Sequence, residues 1–421
     1  MKLRLPLLAL ALTTCAAAPL AAETVRFGTY NASLNRSAAG DLRRDMQTTD
    51  HPQISAVAEV IQRLGADVLL VNEFDHDPGV EALFSQNYLA RPQNVSGQGP
   101  VPGIIYGHSF VAPSNTGVPS GFDLNKDGTV GGGDDAFGFG LFPGQYGMAV
   151  FSRHEILTDQ VRTFQTFRWK DMPGARLPQN PDGTSYYTAE ELEVLRVSSK
   201  SHWDVPIRIG DQVVHFLVSH PTPPTFDGPE DRNGTRNADE IRFWAEYING
   251  AAWIHDDQGV FGGLAEGAHF VIAGDLNSDP NDGDSLPGAA QQLLDHPLVN
   301  TTITPASAGG ADAAARQGGA NAGHIGDPAQ DTADFADTAP GNLRVDYVLP
   351  SATLQLLDAG VFWPVGADPL YGPLFGDYPF PTSDHRPVWV DVQIAPIPLP
   401  APAFLLLGAL GGLAMLRRHR G

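Results

Sequence analysis

The chain has 421 residues, 42% of them hydrophobic and 18% charged, with 48 acidic against 26 basic side chains and a formal net charge of −22. A field of that sign repels polyanions at long range and argues against a tight, sequence-reading DNA binder, but it leaves room for an enzyme that meets phosphate only at a metal-loaded cleft. The single cysteine, Cys15, falls in the first 22 residues, so a chain processed there has neither disulfides nor thiolate metal sites.

In chain order, "MKLRLPLLALALTTCAAAPLAA" over residues 1–22 places Lys2 and Arg4 before an apolar run and small residues, the pattern of a secretory signal peptide. "ETVRFGTYNAS" predicts a strand that ends at Asn31. "QISAVAEVIQRLGADVLLVNEFD" predicts an amphipathic helix stopped at Gly65, then a buried strand running into Glu73. Residues 90–145 are rich in Gly, Pro and Asp with little periodicity and read as a long insertion.

Inside that insertion, "DLNKDGTVGGGD" has the spacing of a calcium-binding loop. Oxygen-bearing side chains stand at Asp123, Asn125 and Asp127, Gly128 makes the sharp turn, Thr129 lends a carbonyl and Asp134 closes a twelve-residue frame. The following "DAFGFGLFPG" is too rich in glycine for the second helix of a hand. The loop is therefore expected to be a structural Ca²⁺ site that braces the insertion, away from the strand ends that carry chemistry. A solvated acidic turn is the plainer alternative.

"GMAVFSRHEI" returns to strand, and "VLRVSSKSHWDVPIRIGDQVVHFLVSHPTPP" predicts two strands about a Gly-Asp turn, the second ending at His220. "RNADEIRFWAEYI" predicts an amphipathic core helix. "HFVIAGDLNSDP" is a buried strand that breaks at Asp275. Residues 305–340 read as another loop, and "RVDYVLPS" and "HRPVWVDVQI" as late strands. A Pro-rich linker over 395–402 leads to an apolar segment with a basic end over 403–421. Its apolar run, 403–416, is shorter than the ~20 residues of a bilayer span. The basic end suits a segment halted with positive charge inside.

Several strands share one grammar, in which an apolar run ends on a carboxylate, an amide or an imidazole. The residues are Asn31, Glu73, His220, Asp275 with Asn277, Asp346, and Asp384 with His385. Strand ends gathered at one sheet edge are where α/β folds build sites. Hard oxygen ligands with two histidines and no thiol favour Mg²⁺, Mn²⁺ or Ca²⁺ over structural zinc. Lys200 and His202 in "SSKSHWDVP" are further candidates for phosphate contact, against the ordinary reading of a solvated loop cation.

The order of these motifs, with "GDLN", "SDHRPV" and "GMAVFSR", resembles the endonuclease/exonuclease/phosphatase superfamily over about residues 24–394. The resemblance implies an α/β four-layer sandwich, two packed, mainly antiparallel β-sheets with helices outside. It also implies metal-assisted attack of water on a phosphodiester or phosphomonoester. The metal set would be Glu73 with Asn31 and Asp384. Asp275 would orient or deprotonate the water, Asn277 and His385 would contact the phosphate, Asp346 would orient His385, and His220 would face the leaving group. Ser33 stands where many members carry an acid, which shifts weight onto Glu73 and Asp384. The C-terminal segment resembles the PEP-CTERM class of sorting tags, in its VPLPA variant, which implies an exported protein held in the membrane until a sorting protease cuts it. A monomer acting on nucleic acid, lipid phosphate or a small phosphoester is the expected form. A surface-displayed, non-catalytic calcium-binding or matrix protein on the same fold is the alternative. The unbroken set of site residues speaks against that alternative.

Overall fold

The apolar side chains of the strands alternate between two destinations, and that alternation builds the molecule in layers. The computed structural model describes residues 22–396; the leader up to residue 21, the linker beyond residue 396 and the terminal apolar segment lie outside the described residues. In chain order the strands are β1 (Glu23–Leu34), β2 (Val68–Phe74), β3 (His108–Phe110), β4 (Met148–Ser152), β5 (Glu155–Ile156), β6 (Arg162–Thr163) and β7 (His202–Ile209). The series continues with β8 (Gln212–Ser219), β9 (His269–Asp275), β10 (Ala333–Asp334), β11 (Asn342–Leu343), β12 (Asp346–Pro350), β13 (Gln355–Val361) and β14 (Val388–Ile394).

One six-stranded sheet has the order β13-β14-β1-β2-β4-β3, and the other runs β12-β9-β8-β7-β5 with β6 also paired to β7. Most of the pairings are antiparallel; β1 with β2 and β8 with β9 are parallel. Val68, Leu70, Met148 and Val150 of the first sheet meet Val205, Ile207, Phe216, Val218, Val271 and Ala273 of the second in a core between the sheets. The alternate residues Leu69 and Val71 face outward and bury the apolar side of the helix Pro52–Leu64. Leu217, Phe270 and Ile272 do the same for Ile241, Trp244 and Ile248 of the helix Arg232–Ile248. A strand with both faces covered this way reads as a continuous apolar run, which is what "DVLLV" and "HFVIA" are. The result is a four-layer sandwich of helix, sheet, sheet and helix.

Local chemistry sets the element ends. Pro52 opens the first long helix, where its missing N–H costs nothing, and Gly65 closes it at φ 64° with its N–H on the Ile61 carbonyl. Four expectations need correction: residues 305–340 are not simply another loop, for they hold the helix Ala308–Gln317 and the short strand β10, and three more concern the earlier strands. First, β1 does not stop at Asn31 but runs to Leu34 through a register break. Second, "GMAVFSRHEI" is two strands in two sheets, because Arg153 and His154 carry the chain from one sheet to the other. Third, the insertion at 90–145 is not all loop. It supplies the edge strand β3, and Ile104 and Tyr106 enter the core under the first long helix. No helix among the described residues is long and apolar enough to cross a membrane.

Gly274 shows how tightly the second sheet is drawn together at the end of β9. A Cβ there would lie 2.0 Å from the backbone oxygen of Ser219 on the neighbouring strand. Gly274→Ala must therefore push β8 and β9 apart, and it is expected to lower the unfolding free energy by about 2 kcal/mol, as overpacking does. Urea titration measures this; unchanged stability would show that the strands are not held at this separation.

Candidate active site at one edge of the two sheets

Strand polarity and register gather the functional side chains. Glu73 lies at the end of β2 beside the matched pair Asn31 and Asn72, and Asp275 at the end of β9 faces Asp346 at the start of β12. His220 directly follows β8, whose Ser219 pairs with His202. The short antiparallel bridge of Ala333 with His385 brings the last loop to the same edge. A cleft of about 1340 Å³ opens there, and Glu73, Lys200, His220, Asp275, Asn277 and His385 all line it.

A chain of hydrogen bonds links these groups. His385 Nδ1 lies 2.8 Å from Asp346 Oδ2, which also accepts from Thr332 Oγ1 at 2.9 Å. That contact fixes the ring with Nε2 outward, 3.7 Å from Asp275 Oδ2 and 4.0 Å from Asp384 Oδ1. Asp275 Oδ2 accepts from Asn31 Nδ2 at 3.0 Å and lies 3.3 Å from His220 Nε2; Oδ1 accepts the backbone N–H of Asn277 at 3.0 Å. Asn277 Nδ2 in turn donates to the Pro221 carbonyl at 3.2 Å, tying the β9 loop to the β8 loop. Ser33, Glu73, Tyr146 and Asn277 all line the cleft with left-handed φ between 47° and 55°. Such strain in non-glycine residues costs about 1 kcal/mol or more each and concentrates where side chains must be aimed.

The electrostatics follow from burial around few cations. Desolvation raises Asp275, against the lowering effect of His385, to about 6, and Glu73 is likewise raised to about 6 by burial, with Asp384 and Asp275 adding to it. Burial opposes the charge on His385, but the Asp346 and Asp275 carboxylates outweigh it and hold the imidazolium well above its ordinary range. His220 goes the other way: burial, then Lys200 and His385, keep it neutral, with Nδ1 lacking a partner. Lys200 is 7% exposed, is in no ion pair among the described residues, and makes one long bond, to the Pro221 carbonyl at 3.4 Å. Burial lowers its pKa, partly offset by Glu240, Asp275 and Glu73.

Two candidates do not belong with this group as expected. His202 is a core residue of β7. Its Nδ1 lies 2.6 Å from Ser198 Oγ and its Nε2 2.9 Å from the Glu240 carbonyl, its ring packs on Phe243 and Trp244, and burial lowers it to about 4. It cannot reach a phosphate. In the calcium-type loop, Asp123 accepts from the N–H groups of Asp127 and Gly128, and Asp127 from that of Thr129. Asn125 Oδ1 accepts from the Asp127 N–H. The carboxylate that folds back over the loop is Asp135, bonded to the N–H groups of Leu124 and Gly131, whereas Asp134 lines the cleft. The loop is thus not remote from the chemistry, for Leu124, Asp134 and Ala136 border the same cleft.

Other contributors carry no sequence signal of their own. The helix Arg232–Ile248 buries Glu240, which accepts from the N–H of Ser199 at 2.6 Å and of Thr222 at 2.7 Å. Asn237, one turn earlier, donates to the carbonyls of Thr222 and Leu276, both at 2.8 Å. Two side chains of one helix therefore hold the segments that carry Lys200, His220 and Asn277. Asp75 does similar work for Arg36 and Tyr146, accepting both N–H groups. Arg386, fully buried, anchors the last loop through Asp334 at 3.0 Å and the Ser383 carbonyl at 2.8 Å.

The donor set suits a hard divalent cation. The Glu73, Asp275 and Asp384 carboxylates and the Asn31 and Asn277 amides gather here without a thiol, and Asp384 and Asp275 add to the raised proton affinity of Glu73, a cost that a cation removes. Asp275, Asp346 and His385 also present ligand atoms within 4.8 Å of one another. Within that trio, His385 Nδ1 and Asp346 Oδ2 already engage each other.

Comparison with known proteins places this geometry. The model of the Endonuclease/Exonuclease/phosphatase family matches residues 28–385. No curated protein matches. Among solved structures, an endonuclease/exonuclease/phosphatase from Beutenbergia cavernae is similar at 17% identity and a TM-score of 0.48, over 89% of this chain and 73% of that one. Sphingomyelinase C from Streptomyces griseocarneus matches at 13% identity and 0.43, over 88% and 99%. A mannosyl-6-phosphatase from Bacteroides thetaiotaomicron matches at 11% and 0.41, over 87% and 99%. With its family model matched across both sheets and every strand end of the site, the chain belongs to the endonuclease/exonuclease/phosphatase family.

Proposed function

We propose that the protein is a phosphoesterase that attacks phosphorus with water, aided by Mg²⁺ or Mn²⁺, with Ca²⁺ as a further candidate, held by Glu73, Asn31 and Asp384. The observation that carries the reading is the aimed pair of Asp346 and His385 facing Asp275 across 3.7 Å on a cleft wall. When bound, the cation supplies positive charge to a dianionic transition state and acidifies water. Asp275 accepts the proton of the attacking water, since its raised pKa leaves it ionised at neutral pH and still basic. His385, charged and steered by Asp346, donates from Nε2 to a phosphoryl oxygen. Asn277 offers an amide N–H to the same group, and Lys200 a nearby ammonium with N–H donors to spare. Neutral His220 sits on the leaving-group side.

The remaining expectations join this reading as proposals. The loop from Asp123 to Asp135 binds a structural Ca²⁺, closed by Asp135 in place of Asp134. The protein is exported and monomeric, and a sorting protease releases it from its C-terminal segment.

Asp275→Asn and His385→Ala are each expected to lower kcat/KM by about 10²- to 10⁴-fold with the fold intact by circular dichroism. The acid limb of the wild-type pH profile should lie no higher than about 6, because Asp275 is protonated below that value and a cation can only pull it down. A panel of bis-p-nitrophenyl phosphate, plasmid DNA, RNA, sphingomyelin and a phosphomonoester, each with the three metals, tests the reading; inertness on all of them sinks it.

Glu73 gives a test independent of turnover. Its folded pKa is raised above 4.5, so the folded state binds the proton more tightly and wild-type stability falls as pH rises from about 4.5 through about 6. In chelator, Glu73→Gln should therefore be more stable than wild type at pH 7.5, by about 2 kcal/mol at most, and equal to it near pH 4.5. Added Mg²⁺ or Ca²⁺ should reverse the order at pH 7.5. Thermal melts with the order unchanged by metal would remove Glu73 from the cation site.

A further inference from the structure

Resting on the phosphoesterase reading, we infer that Phe226 is a stacking platform for a nucleobase, and that the preferred substrate is a short nucleoside-bearing phosphodiester. Phe226 lies six residues beyond His220, lines the same cleft, and is 84% exposed. A ring so placed contributes nothing to a core, and it has no aromatic partner among the described residues. Its backbone is at φ 65°, a region that a bulky side chain occupies only when its surroundings force it.

The surroundings do force it. Asn233 clamps both flanks of the residue, with Nδ2 donating to the Thr225 carbonyl at 2.6 Å and its N–H to Asp227 Oδ2 at 2.7 Å. Arg232 Nη2 donates to the carbonyl of Phe226 itself at 3.3 Å. At the base of the loop, Thr222 is fixed at both backbone groups by Glu240 and Asn237. The chain thus fixes the backbone that carries an apolar ring and leaves that ring in water beside the cleft. A ring in that position is what base stacking uses, since every base presents an apolar face.

A lipid surface fits less well. Asp227, Glu230 and Asp231 flank the ring in sequence and Asp284 lines the same cleft, so inserting Phe226 into a bilayer would drag carboxylates toward it. The net charge of −22 argues against long polynucleotides, which leaves a substrate of one or a few nucleotides.

The test compares cleavage of a thymidine dinucleotide with that of glycerophosphoglycerol, products being separated by chromatography, for wild type, Phe226→Ala and Phe226→Trp. Wild type should prefer the dinucleotide. Phe226→Ala should raise its KM by about 5- to 150-fold with kcat little changed, leaving the glycerol ester untouched. Phe226→Trp should keep the preference. Equal effects of Phe226→Ala on both esters, or none on either, overturn the platform while leaving the phosphoesterase standing. So does a loss confined to sphingomyelin in mixed micelles, which would assign the ring to lipid. A wild type inert on both diesters removes the phosphodiesterase reading and the platform together.

Discussion

Two buried carboxylates facing each other across a strand pair are the constraint around which the site is organised. The register of β9 with β12 sets Asp275 opposite Asp346, and the alternation of Val271, Ile272 and Ala273 between two cores prevents that register from slipping. Like charges at directly paired positions repel, the more so away from water. His385 answers both, with Nδ1 on Asp346 and Nε2 toward Asp275. The imidazolium is thus required by the fold before any substrate arrives. A ring placed for packing alone would have no reason to be charged; this one is charged because the sheet leaves two anions beside it.

The same economy explains the polar side of the long helix. Ser199, Thr222 and Leu276 belong to segments that leave the sheet and would otherwise bury unpaired backbone groups. Glu240 and Asn237 satisfy two N–H groups and two carbonyls at once, each of which would cost about 1–3 kcal/mol if orphaned. Because those segments also carry Lys200, His220 and Asn277, satisfying the backbone and aiming the site are one event. Gly274, where a Cβ would meet the Ser219 backbone of β8, belongs to the same arrangement.

This explains which parts were legible in the sequence. Strand-end residues could be read because a polar side chain breaking an apolar run is a one-dimensional pattern; "VIAGDLN" and "FLVSHP" announce themselves, and the apolar alternation that makes four layers could be read with them. Glu240 and Asn237 could not, since they sit in an amphipathic helix where any polar residue is expected to face water, and only the approach of two loops buries them. His202 misled for the converse reason. It follows a polar stretch and looks exposed, yet it is the first residue of β7 and its ring packs into the core against Phe243. Asp134 and Asp135 are adjacent carboxylates after a glycine run with free dihedrals, so spacing alone could not say which one folds back over the loop to accept its N–H groups.

On the proposed reading, an acidic protein must also reverse its own field locally to admit a phosphate. At physiological ionic strength, exposed charges more than about 8 Å apart are largely screened, so the surface acts mainly on a polyanion lying close along it and little within the cleft. Inside, Lys200 and His385 are buried where screening is weak, and the carboxylates around Glu73 add a place for divalent charge. One phosphate group entering the cleft exchanges long-range repulsion for short-range attraction. A polymer of phosphates does so at one position and suffers repulsion at all the others. On the proposed reading, the charge distribution favours short substrates and leaves the group beyond the phosphate to contacts along the cleft, where uncharged surface such as the face of Phe226 is available.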